Sequence, residues 1–204
     1  MLLIAINATT ANFHHFGQLA DMRYGQPAAT IAMELSTLLG QLGQAGTAEQ
    51  LEQVNRFFND RIQFRDDIKI WGESDYWASP LEMIGQGAGD CEDFSIAKYT
   101  ALKLLGIPIS KLRLTYVKLN YGGQGQAHMV LSYYERPGDV PLILDNLVNS
   151  IRPATERPDL KPVFGFNSEG LWIGNSGGPA KYDPKARMSR WREVLLKIQN
   201  EGLD

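Results

Sequence analysis

The stretch GAGDCEDFSIAKYTALKLLGI, residues 87–107, holds the only cysteine of the chain and sets it among acids rather than apolar neighbours. Phe94, Ala97, Ala101, Leu104 and Leu105 recur at helical spacing, and Gly106 with Pro108 stops the run. The spacing predicts a helix that starts at about Asp90, with Cys91 in its first turn. There the unpaired amides and the helix dipole favour a thiolate and lower the thiol pKa. The same amides can hydrogen-bond an oxyanion forming on a substrate carbonyl. Gly87, Ala88 and Gly89 leave room for a substrate backbone. Most cysteines are small core residues without chemistry. The polar neighbours and the helix-start position favour a nucleophile here.

Upstream of that stretch the pattern is helical. In ATIAMELSTLLGQLG, residues 29–43, Ile31, Leu35, Leu38, Leu39 and Leu42 form one stripe that ends at Gly43. Thr47 with Gln50 has the spacing of a capping box, and the helix it opens carries Leu51, Val54, Phe58 and Ile62 inward. Residues 65–89, with Pro80, several glycines, Trp71, Tyr76 and Trp77, read as a long structured loop.

Downstream the period changes to two. LRLTYVKL (112–119), AHMVLSYYE (127–135) and PLILDNL (141–147) read as strands, with NYGGQGQ and RPGDV as the connections. Asp183–Pro184 opens a last helix with Met188, Trp191, Leu195 and Ile198 on its inner face. Helices first and antiparallel strands later make the fold class α+β. The length of 204 residues suits one domain, and residues 1–15 read as a loosely ordered N-terminal segment.

A cysteine nucleophile needs a base, and the chain has three histidines. His14 and His15 lie in the weakly patterned N-terminal region. His128 opens a strand beside a glycine-rich mouth. A hairpin turn centred on Pro137–Gly138 sets Val130 opposite Asp145 and makes Asp145 a diagonal neighbour of His128 on the same face. A one-residue slip reverses that face. An aspartate inside the apolar LILDNL is costly to bury alone, and a histidine partner removes the cost while orienting the imidazole.

Cys91, His128 and Asp145 in that order, together with GDCEDF, AHMVL and LDN over about residues 70–150, resemble the bacterial transglutaminase-like cysteine proteinases. The resemblance implies a papain-like or transglutaminase-like cysteine protease fold, with N-terminal helices packed on an antiparallel sheet and a Cys91–His128–Asp145 triad. It also implies calcium dependence, with Asp90, Glu92 and Asp93 as ligands. Asp90 as N-cap and Asp93 three residues on also fit a capping box without any metal. By the same resemblance the oxyanion is assisted by the Trp77 indole or by Gln86, a choice the residues leave open. The expected substrate is a large surface adhesin, cut near a di-alanine site in its N-terminal region to release it and promote biofilm dispersal. The expected inhibitory partner is an inner-membrane cyclic-di-GMP receptor, with the Trp71 loop as the contact. Acyl transfer to an amine, and a silent binding module on the same fold, are the alternative functions.

Composition bounds these expectations. A formal net charge of -3 and a pI near 5.7 give no reason to expect a nucleic-acid partner. One cysteine excludes an intrachain disulfide. The opening MLLIAINATTANFHH has a short apolar run without a basic flank, too short to span a membrane and incomplete as a signal peptide. Alone it is compatible with a cytoplasmic protein or with a trimmed exported one. The resemblance implies a periplasmic enzyme and thus the trimmed form.

Overall fold

The structure is a computed structural model that describes residues 15–122, 124–173 and 184–203. A helix covering residues 15–24 (α1) is followed by α2 (Gln26–Leu42) and α3 (Thr47–Arg61). A two-residue strand, β1 (Gln63–Phe64), leads to the short α4 (Asp67–Ile70) and to α5 (Pro80–Gln86). Next come β2 (Ala88–Gly89), which pairs in parallel with β1, and α6 (Cys91–Leu104). The main strands are β3 (Leu112–Tyr121), β4 (Gln124–Tyr133), β5 (Leu142–Leu144), β6 (Arg152–Pro153), β7 (Leu160–Phe166) and β8 (Leu171–Ile173). They form one antiparallel sheet in the order β6-β5-β4-β3-β7-β8, and α7 (Pro184–Asn200) closes the described chain.

The alternation of the strands decides what packs where. Leu112, Leu114 and Tyr116 of β3, Met129, Leu131 and Tyr133 of β4, and Leu144 of β5 join one buried core with the helices. Leu35, Leu39, Leu51, Val54 and Phe58 complete it from α2 and α3, and Trp191, Val194 and Ile198 from α7. α6 runs through this core, so Ile96, Ala97, Ala101 and Leu102 are all buried, and Ser95 Oγ donates to the Met129 carbonyl 3.2 Å away. Val117, Val130 and Ile143 point the other way into a separate small cluster. His128 belongs to the Val130 side of β4, away from the helix-facing core.

Several expectations hold in detail. α2 stops before Gly43, α6 begins at Cys91 with Asp90 as N-cap, and Leu131 pairs with Leu144 in the predicted hairpin register. Others need correction. Thr47 is the first residue of α3 rather than its cap: Gly46 takes that place without a side-chain bond, and Gln50 Nε2 donates to the Leu42 carbonyl instead. Residues 65–89 are not one loop. Ser79 and Glu82 form a full capping box that opens α5, with Pro80 in its first turn. The glycine-rich NYGGQGQ is mostly strand, because β3 runs to Tyr121 and β4 starts at Gln124. The N-terminal segment 1–15 lies outside the described residues, apart from His15, which starts the described part of α1 and is exposed.

One buried charge stands out in this core. Lys98 of α6 is 1% exposed, its Nζ has no hydrogen-bond partner, and it lies 5.6 Å from the centre of the Phe94 ring. Burial pushes its pKa down to about 7, against the opposing charge of Asp145. An ammonium whose native pKa lies below its unfolded value makes folding costlier at low pH. The cost is full below about pH 7 and disappears as pH rises towards the ordinary value of 10.5. Lys98→Met keeps the length of the side chain and removes the charge. It should raise the melting temperature at pH 6, by on the order of 3 kcal/mol of stability, and by much less at pH 9.5. Thermal melts of both proteins at the two pH values check this, and a lower melting temperature for the variant at pH 6 would contradict it.

Candidate active site

The start of α6 is built around Asp93. Its Oδ2 accepts from the Asp90 amide at 3.2 Å while Asp90 Oδ1 accepts from the Glu92 amide at 3.1 Å, a reciprocal cap. Asp93 Oδ1 accepts from the Ala78 amide at 2.7 Å, which ties the chain before α5 to α6. Gly89 is needed for this arrangement. A Cβ there would sit 2.9 Å from both Cβ and Oδ2 of Asp93, so the glycine makes space for the carboxylate rather than for a substrate.

Cys91 is half-buried and lines a cleft together with Asp90, Glu92, Gln126, His128 and Arg157. Its Sγ donates to Glu92 Oε2 at 2.6 Å, and Tyr116 Oη donates to Glu92 Oε1 at 2.5 Å. Burial and then the charges of Glu92 and Asp90 push the thiol pKa well above its ordinary value, while a hydrogen bond from the Met129 amide acts the other way. The helix start therefore does not yield the lowered thiol pKa that its dipole alone predicts. Acids packed against the sulfur outweigh the dipole.

His128 is 4% exposed and Asp145 is 1% exposed. His128 Nε2 and Asp145 Oδ1 are 2.8 Å apart. A carboxylate only accepts, so Nε2 carries the hydrogen and Nδ1 is the basic nitrogen of the ring. Asp145 lies one residue past β5, where the register brings it to the His128 side of the sheet. Burial pushes its pKa up, but the His128 hydrogen bond and charge, the Leu147 amide and Arg157 outweigh that and hold it at about 2. Arg157 and its partner Asp159 are absent from the sequence reading. ERPDLKP carries only a local turn signal, and their contact with Asp145 is a tertiary one. His15 does not line the cleft, and His14 lies outside the described residues.

Neither residue proposed to assist the oxyanion lines the cleft. Trp77 is 3% exposed and stacks on Phe166 with ring centres 5.8 Å apart, and Gln86 is exposed at the end of α5. Trp71 is half-buried and packs on Tyr76 at 4.4 Å.

Two overlapping groups of possible metal ligands meet at Asp90: Asp90, Cys91 and Glu92, and Asp67, Asp90 and Asp93. The second is all carboxylate, and its ligand atoms lie within 4.8 Å of one another. Asp67 is 3% exposed; the Tyr76 amide donates to its Oδ2 at 2.6 Å, the Asp90 carboxyl lies within hydrogen-bond reach, and no amide or amine among the described residues reaches its buried Oδ1. Burial, then neighbouring charge, raises Asp67 to about 6 and Asp90 to about 10, and burial raises Asp93 well above the usual carboxylate range. Among the described residues no lysine or arginine pairs with any of the three. Clustered carboxylate oxygens without a counter-ion suit a hard divalent cation such as calcium. Glu92, whose oxygens accept from Cys91 Sγ and Tyr116 Oη, belongs to the first group. Asp67 was hidden in the stretch read as loop, next to Asp66, with nothing local to single it out.

Residues 34–158 match the family model of the bacterial transglutaminase-like cysteine proteinases, BTLCP. Among curated proteins none matches the chain. Among solved structures, LapG of Legionella pneumophila is similar at 39% identity and a TM-score of 0.77, over 91% of this chain and 97% of that one. Its EGTA-treated form is similar at 38% identity and a TM-score of 0.78, over 91% and 97%. Its calcium-bound form is similar at 39% identity and a TM-score of 0.76, over 91% and 98%. With a helix-start cysteine, a buried His–Asp pair on the neighbouring strands and these matches, the chain belongs to the bacterial transglutaminase-like cysteine proteinase family.

Proposed function

We propose that the chain is a calcium-dependent cysteine endopeptidase with a Cys91–His128–Asp145 triad. The buried 2.8 Å pair of His128 and Asp145, in the cleft that Cys91 lines, carries this reading. Because the resting thiol is held neutral, deprotonation and attack belong together: His128 Nδ1 takes the thiol proton as Sγ bonds to the peptide carbonyl carbon. The Cys91 amide, in the first turn of α6, is the backbone donor this reading assigns to the oxyanion. Asp145 holds the imidazolium that results. His128 then returns the proton to the leaving amine, the C–N bond breaks, and water activated by the same ring hydrolyses the thioester.

Asp67, Asp90 and Asp93 would hold the calcium ion, with Glu92 bordering the site. A bound divalent cation supplies positive charge at the start of α6, which offsets the carboxylates that oppose the thiolate. The calcium-bound and EGTA-treated forms of the similar LapG support calcium as the ion.

The proposed substrate is a large surface adhesin cut near a di-alanine site in its N-terminal region, in the periplasm, so that cleavage releases the adhesin and promotes biofilm dispersal. Family membership supports this. The proposed inhibitory partner is an inner-membrane cyclic-di-GMP receptor that docks on the Trp71 loop, where Ile68 is 57% exposed beside the Trp71–Tyr76 stack. Trp71→Glu should abolish capture of the protein by the receptor's periplasmic domain while cleavage persists; retained capture would place the contact elsewhere.

Cys91→Ala should abolish cleavage of a fluorogenic Ala-Ala peptide and leave the melting temperature within a few degrees of the wild type. Mass spectrometry of the wild-type products decides the reaction class: cut peptide supports hydrolysis, and crosslinked product supports acyl transfer. Residual cleavage by the alanine variant would remove the cysteine from the mechanism.

Calcium should stabilise the wild type by mass action, about 2.7 kcal/mol at a hundredfold excess over the dissociation constant. In the Asp67→Asn, Asp90→Asn double variant that shift and the calcium dependence of cleavage should both vanish. Melts and assays with calcium and with chelator read the outcome. Equal calcium shifts in both proteins would put the ion at another site.

A further inference from the structure

We infer that Arg157 is a fourth, positioning member of the catalytic set, holding the Asp145 carboxylate in the plane from which it accepts the His128 proton donor. The inference deepens the peptidase reading and rests on it. Asp145 uses its two oxygens differently: Oδ1 accepts from His128 Nε2 at 2.8 Å and from the Leu147 amide at 3.0 Å, while Oδ2 accepts from Arg157 Nη2 at 2.8 Å. Without Arg157, Oδ2 would be a charged oxygen in a residue that is 1% exposed.

Arg157 is itself held. It is 4% exposed, and Asp159 takes its Nε at 3.0 and 3.2 Å and its Nη2 at 2.7 Å. Asp159 is anchored to the sheet, because its carbonyl accepts from the Asn120 amide at 2.8 Å. The Leu160 amide bonds the Arg157 carbonyl at 3.0 Å, which joins the same turn to β7. From the other side Asn59 Nδ2 holds the Asp145 carbonyl at 2.8 Å. The chain Asp159–Arg157–Asp145–His128 is thus continuous from the sheet to the base. Nη2 of the guanidinium donates to both carboxylates, and Nε adds a second contact to Asp159.

The charges around Asp145 come from three directions: His128 on β4, Arg157 with Asp159 before β7, and Lys98 on α6. Arg157 is the permanent cation with a direct bond. If it becomes methionine, the Asp145 carboxyl takes up a proton at a higher pH than before, and protonation removes the acceptor that steadies the imidazolium. The acidic limb of activity must then move up in pH.

The test uses the full chain, with calcium present, and compares wild type, Arg157→Met and Arg157→Lys on the fluorogenic Ala-Ala peptide. The methionine variant should lose about tenfold to a hundredfold in kcat with KM within about threefold, less than the roughly 10⁴-fold effect of disabling a triad aspartate. The acidic limb of its kcat/KM profile should rise by at least about half a pH unit. The lysine variant, a single-point cation, should recover part of kcat and return the limb towards the wild type. An acidic limb unmoved in both variants overturns the proposal, whatever their rates or melting temperatures. If the methionine variant does not fold, Arg157→Gln, which is uncharged but keeps a hydrogen-bond donor, takes its place under the same criterion. Alkylation of Cys91 by iodoacetamide at pH 7 separates this from the peptidase reading, because Cys91 is the only thiol and no substrate is needed. Wild type that alkylates readily yet never cuts the peptide counts against the peptidase reading. Arg157→Met should then still alkylate about tenfold more slowly, and an equal rate overturns the role of Arg157.

Discussion

The carboxylate of Asp93 is the constraint on which the site depends. It is buried, it receives the amides of Asp90 and Ala78, and it occupies the space that a side chain at position 89 would need. Those contacts fix three things at once: the first turn of α6, the course of the chain from Tyr76 to α5, and the approach of Asp67 to Asp90. Trp77 is then pressed into the core against Phe166, and Ser79 opens α5. Cys91 is held in place by backbone geometry on its N-terminal side and by the Met129 amide on its sheet side. Placement of the sulfur is therefore a consequence of a buried acid two residues away.

What could be read from the chain beforehand divides along a physical line. Regular periodicity and turn chemistry are local, so the stop of α2 at Gly43, the start of α6 and the strands β3, β4 and β5 follow from residues a few positions apart. The hairpin between β4 and β5 is nearly local as well. Its turn fixes the register Leu131–Leu144, and that register carries Asp145 to the His128 side. Features decided by tertiary contact were hidden. Asp67 and Arg157 reach the site only because distant segments fold onto Asp90 and Asp145. Strand β7 is set by pairing with β3, and β8 by pairing with β7, rather than by a clear period. Ser79–Pro80 and Glu82 were an exception. Their capping spacing was present in the chain, and the surrounding glycines and aromatics masked it.

The thiol shows how a correct local rule can lose. The dipole of α6 does favour a thiolate at its first turn, by roughly 0.3–1 kcal/mol for an exposed charge. Glu92 bonds the sulfur directly, Asp90 lies beside it, and burial removes the solvent that would screen either acid. A charge at contact distance in a dry setting outweighs a half-charge at a helix end. The acids next to the cysteine are plain in the sequence, and their effect on the sulfur has the opposite sign to that of the helix.

The two halves of the site differ in how they compensate buried charge. Around Asp145 the protein supplies its own partners, His128 and Arg157 each by a direct bond together with the Leu147 amide, so that the carboxylate stays ionised at 1% exposure. Around Asp67, Asp90 and Asp93 it supplies no cation among the described residues, and the carboxyl groups are driven towards their protonated forms instead. The second arrangement leaves the chain two ways to neutralise the cluster, protons or a metal cation. A divalent cation there would hold the carboxylates together and offset part of their repulsion of a Cys91 thiolate. Under the proposed mechanism, a cation held at the start of α6 would therefore act on the suppressed thiol and leave the His128–Asp145 pair as it is.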